Sequence, residues 1–76
     1  MDPKLREEME GAAREILAFL EAHGETPVQD LKDALGIPEM VFYFGLGDLI
    51  LDHRVVLRRH HDLFWAMRRP ELAKAA

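Results

Sequence analysis

The chain has no cysteine and no serine. Without cysteine there is no disulfide framework and no thiolate chemistry. With serine also missing, the two commonest nucleophiles are gone. No glycine-rich phosphate loop is present, and no pair of carboxylates is set apart by its surroundings, so the chain is read as a non-enzyme. Long apolar runs are missing too. The longest, Met40 to Leu51, is about twelve residues and is interrupted by Asp48, too short to cross a bilayer. The opening MDPKLREEMEG is acidic and has no apolar segment, which does not fit a signal peptide. The expectation is a cytoplasmic protein with no membrane contact, no cofactor and no metal.

The composition is that of a folded chain: 49% of the 76 residues are hydrophobic and 32% charged, enough apolar surface to drive folding. Seventy-six residues suit one domain, spanning 1–76, and a domain so small gains from association. The net charge of −4 hides a division. Residues 1–52 carry four basic against twelve acidic side chains, a balance of −8; residues 53–76 carry six against two, a balance of +4. The molecule is electrically two-ended, and its basic end is where a polyanion would be met.

Periodicity divides the chain into three helices and a hairpin. Asp2-Pro3 is a cap followed by a first-turn proline, and Leu5, Met9, Ala12, Ala13, Ile16, Leu17 and Leu20 form a helical stripe, predicting a helix over about 3–23 with Gly24 as its stop. Gly11 weakens its middle by about 1 kcal/mol relative to alanine, so the early part is expected to fray or to act as an arm. Glu25 to Val28 has room only for a strand fragment. Thr26, Pro27 and Gln29 form a Thr-x-x-Gln capping box ahead of a second helix over about 27–35. Gly36 closes it, and Pro38 opens a third over about 38–52. A short helix, a glycine corner and a longer helix make a helix-turn-helix. Its core is expected from Leu31, Leu35, Ile37, Phe42 and Leu46, with Leu49 beside them and Ile16 and Leu20 from the first helix.

The third helix is apolar all round. At 100° per residue, Phe42, Gly45, Leu46 and Leu49 share the face that packs inward. Met40, Phe44, Gly47 and Leu51 lie opposite, flanked by Tyr43 and Ile50. Two strands follow, about 54–60 and 63–69, around a His61-Asp62 turn. With that turn, Val55, Leu57, Phe64 and Ala66 share one face of the hairpin and Val56, Leu63, Trp65 and Met67 the other. Pro70 ends the second strand, and Glu71 to Ala76 reads as a loose tail or short helical turn.

Three helices followed by a basic hairpin resemble a winged helix-turn-helix domain, over about Ala13 to Pro70. The stretch DLKDALGIPEMVFYFGLGDLILDHRV is most similar to a family of small prokaryotic winged-helix proteins of unassigned function. In these a Leu-x-x-Ala-Leu segment precedes a helix with an Ala-Leu-Gly-x-Leu-like core. The matching positions are Leu31, Ala34, Leu35, Gly45, Leu46, Gly47 and Leu49. The resemblance implies a mainly α fold with a small β-hairpin as its wing. It also implies either of two functions, since winged helices commonly bind DNA and many serve as protein-interaction modules.

The first expectation is a DNA-binding transcriptional regulator that holds phosphates through its wing. Arg54, Arg58, Arg59, His60, His61, Arg68 and Arg69 are its candidate contacts. The competing account of those arginines is a charged strand edge that resists aggregation. Against base reading, the third helix has no Lys, Arg, Asn or Gln from Pro38 to Asp52, and major-groove readout depends on such donors. Lys32 also stands where these units often carry a small residue. The second expectation is a protein-interaction module using Met40, Tyr43, Phe44, Ile50 and Leu51, extended by Trp65 and Met67. It would form a homodimer or engage another protein. In the competing account of that surface, an amino-terminal arm or the tail folds over it. His60 and His61 are too few for a metal site, and neighbours on a strand point apart.

Overall fold

The computed structural model describes residues 1–70, so the expected form of the tail from Glu71 lies outside the described residues. The chain runs α1 (Pro3–His23), β1 (Thr26–Pro27), α2 (Val28–Leu35), α3 (Glu39–Leu51), β2 (Val55–His60) and β3 (Leu63–Arg68). The fold is mainly helical, with a three-stranded antiparallel sheet in the order β1-β3-β2.

Helix α1 starts as its sequence dictates. The Asp2 carboxylate accepts from the Lys4 backbone N–H at 3.0 Å, with Pro3 in the first turn, an N-cap that satisfies one of the otherwise unpaired donors. The helix runs unbroken through Gly11 and ends where the Gly24 N–H donates to the Leu20 carbonyl at 2.8 Å. Its buried stripe is Ala12, Ala13, Ile16 and Leu20.

The capping box expected ahead of α2 does not form. Thr26 is drawn into the sheet opposite Ala66, and its hydroxyl donates instead to the Gly24 carbonyl at 2.9 Å. The Gln29 side-chain amide donates to Asp33 Oδ1 at 3.2 Å, one turn along the helix. Helix α2 therefore begins after Pro27 with no side-chain cap. The sheet overrides the local capping signal because an extended Thr26 can pair with β3. At the other end Gly36 adopts the left-handed conformation, φ 63°, that closes a helix without strain. Pro38 precedes α3 as its cap residue, and its carbonyl accepts the first helical bond from the Phe42 N–H at 2.9 Å.

Helix α3 packs tightly on α1 at Gly45. A methyl group there would meet the Ala12 Cβ and Ala13 N at 3.0 Å and the Met9 carbonyl oxygen at 3.1 Å. The core gathers Ile16 and Leu20 from α1, Leu31 from α2, and Phe42, Leu46 and Leu49 from α3. Val55 and Ala66 join from the hairpin. Leu35 and Ile37, expected in the core, lie half-buried at its margin. The end of α3 is closed by two bonds, Arg54 N–H to Leu49 O at 2.9 Å and His53 N–H to Ile50 O at 3.0 Å. This is a Schellman closure in which His53, φ 61°, takes the place glycine usually holds.

The hairpin turn is His61-Asp62, with φ 53° and 62° and His60 opposite Leu63. Positive φ at both central residues is the two-residue turn whose twist matches the strands. Leu57 faces Ala66 and Arg59 faces Phe64, so Val55, Leu57, Phe64 and Ala66 share a face. The strands are each one residue shorter than expected at the base, although the Arg69 N–H still donates to the Arg54 carbonyl at 2.9 Å.

Candidate functional site

Inner and outer faces of α3 are both apolar, and the core buries the inner one fully and the outer one only in part. Phe42, Gly45, Leu46 and Leu49 are buried. On the outer face Leu51 is 81% exposed, Met40 67%, Phe44 43% and Tyr43 42%. Helix α1 packs against the Gly45 side and does not cover this surface. Ile50, the fifth α3 residue expected here, is half-buried against the core.

Beside this surface lies a groove of about 440 Å³. It is lined by Tyr43, Gly47 and Ile50 of α3, by Leu57, Leu63 and Phe64 of the hairpin, and by Pro27 and Val28 where α2 begins. Phe64 is 54% exposed. The apolar hairpin surface that continues the α3 patch is thus the Leu57 and Phe64 face. Trp65 and Met67, expected to extend the patch, are only half-exposed. Trp65 sits on the central strand between Pro27 on one side and Arg58 on the other, and side chains directly across a sheet cover one another. Its indole Nε1 is buried without a hydrogen-bond partner. Leu57 and Phe64 were legible as a shared face, but their side of the hairpin could be assigned to α3 only once the hairpin's packing was known.

The basic hairpin residues divide into two groups. Arg58 makes a two-pronged ion pair with Glu25, Nε at 2.9 Å and Nη2 at 3.1 Å. Arg68 reaches Glu21 on α1 at 3.3 Å. Both are spent within the fold, although pairs this exposed contribute about 0–1 kcal/mol each. Arg59 lies 5.7 Å over the Phe64 ring, within cation–π range, and Arg54, Arg69, His60 and His61 are exposed. The His60 and His61 rings meet edge to face at 4.1 Å. Among the described residues no group of three or more His, Asp or Glu is placed to hold a metal ion, and no helix is long and apolar enough to cross a membrane.

No protein-family model, curated protein or solved structure matches this chain. Any functional reading therefore rests on its own surface. That surface offers two features: an exposed apolar helix face continuous with a groove, and a scatter of cations on a hairpin, two of them already paired.

Proposed function

We propose that the chain is a winged-helix protein–protein association module whose docking surface is the outer face of α3. The observation that carries this reading is the exposure of Met40, Tyr43, Phe44 and Leu51 on the helix that, in a DNA-binding member of this fold class, would enter the major groove. That helix presents no donor to a base edge, and its only charges are Glu39 and Asp48, both repelled by phosphate. Apolar surface held in water is instead what a protein partner removes from it, at roughly 25 cal/mol per Å² covered. The groove adds a concave margin into which a partner's side chain fits.

A duplex-DNA reading through the wing is favoured by one observation, the exposure of Arg54, Arg59, Arg69, His60 and His61 on one hairpin. It has less to work with than the count of arginines suggests, since Arg58 and Arg68 would have to leave Glu25 and Glu21. One experiment separates the readings. A benzophenone amino acid replacing Phe44 should yield, on illumination in cells, a discrete adduct to one protein identified by mass spectrometry. The same group replacing exposed Glu8 should not. Nuclease-sensitive adducts from Phe44, or steeply salt-dependent binding of the purified protein to mixed-sequence duplex, would overturn the association reading.

A further inference from the structure

Gly47 stands inside α3, where glycine is the least favourable residue apart from proline. Two positions earlier, Gly45 is explained by the close passage of α1, which leaves a methyl group only 3.0–3.1 Å from its neighbours. Nothing comparable applies at Gly47. A Cβ placed there meets no atom within 4 Å. The residue lines the groove and lies on the stripe between Phe44 and Leu51. The fold forgoes a side chain at an outer-face position that lies open to an approaching backbone.

We propose that the occupant of this face is a second copy of the same chain, with the two α3 helices antiparallel and crossing at Gly47. This rests on reading the outer face of α3 as an association surface, and it names the partner. A glycine at a crossing point lets the facing helix approach without a methyl group between them. With a twofold axis beside Gly47, Phe44 of one chain meets the partner's Leu51, and the contact repeats reciprocally, as an isologous interface requires. The ends of the helix favour the same direction. Glu39 opens α3 and Arg54 follows it, and neither enters an ion pair among the described residues. The antiparallel arrangement brings Glu39 to the end of the partner's helix that carries Arg54, which borders a cleft with Asp48 and Asp52, whereas a parallel one sets Glu39 against its own copy. Met40, Tyr43, Phe44 and Leu51 of α3 and Leu63 and Phe64 of the hairpin are each between 42% and 81% exposed, a contiguous apolar centre of the kind on which an interface of ~800 Å² per partner is built.

The absence of cysteine makes the test direct, because an introduced thiol is the only one present. Phe44→Cys and Leu51→Cys variants, differently tagged and mixed in equal amounts, should on oxidation give mainly the mixed 44–51 disulfide. Sedimentation of the wild type should show a dimer that Phe44→Glu with Leu51→Glu converts to a folded monomer. Gly47→Ala should raise the melting temperature of dilute monomer, since alanine favours the helix, while weakening the dimer at least tenfold. A purely internal role for Gly47 predicts no change in dimer affinity. The proposal is overturned by a wild type that sediments as a monomer up to millimolar concentration, by 44–44 and 51–51 disulfides in place of the mixed one, or by a Gly47→Ala dimer of unchanged affinity. A monomer whose Phe44 photo-adduct is a different protein defeats the second copy alone and leaves the association module standing.

Discussion

Single side chains fall into those the interior cannot lose and those it never uses. Phe42 lies at the centre of the core with Ile16, Leu20 and Leu31, so Phe42→Ala should cost about 3–5 kcal/mol and unfold much of the protein at room temperature. A melt displaced by only a few degrees would contradict that placement. The two α3 glycines should answer in opposite ways to the same change. At Gly45 an added methyl meets backbone atoms of α1, which cannot swing aside. Gly45→Ala should therefore lose about 1–3 kcal/mol despite the better helix propensity of alanine, a loss readable in urea denaturation. At Gly47 there is no such obstacle within the chain.

At the scale of elements, the hairpin and the corner that launches it carry the backbone strain. His53, His61 and Asp62 all have positive φ, a region that costs an L-residue roughly 1–2 kcal/mol. His53→Gly and Asp62→Gly should each raise stability by up to about 1 kcal/mol, seen as a rise of a few degrees in the melting temperature. A drop at either site would mean that its side chain makes a contact worth more than the strain. The same elements show how far the sequence could be read. Helix periodicity located α1, α2 and α3 to within a residue or two, because each stripe of apolar residues repeats on one face. The turn at His61-Asp62 is readable as the polar break between two strand-like runs, without a glycine to mark it. What could not be read was tertiary competition. Thr26 and Gln29 carry a good local capping signal, and a strand forty residues away in sequence claims Thr26 instead. For the same reason the Trp65 and Met67 side of the hairpin was expected to extend the α3 patch, where Leu57 and Phe64 border the groove instead.

Considered whole, the molecule is small and has an apolar face outside its core, and the proposed docking of a second copy there would make its stability depend on how much of it is present. Association adds to the unfolding free energy by mass action. The melting temperature of the wild type should therefore climb with protein concentration, and that of Phe44→Glu with Leu51→Glu should stay flat. A wild-type melting temperature constant over a hundredfold range of concentration would remove the coupling. The charge division is partly settled inside the chain, since Glu25 and Glu21 of the acidic body hold Arg58 and Arg68 of the basic hairpin.

The strand Thr26–Pro27 is two residues long, yet it pairs with Ala66 and Trp65 and so encloses α2, α3 and β2 in one loop. A pairing of two residues returns little for closing so long a loop and so forms late, whereas the α1–α3 contact closes a loop of similar length but buries Ile16 and Leu20 against Phe42, Leu46 and Leu49. The rate-limiting barrier to folding should then be crossed with α1 already against α3 and with this small pairing still open. Thr26→Gly should accelerate unfolding while leaving the refolding rate nearly unchanged, which the two arms of a chevron plot report separately. A slowed refolding arm would place the pairing in the nucleus. In the native state the same logic makes the pairing of Thr26 with Ala66 an early point of opening, with hydrogen exchange there running ahead of exchange at the α1–α3 contact.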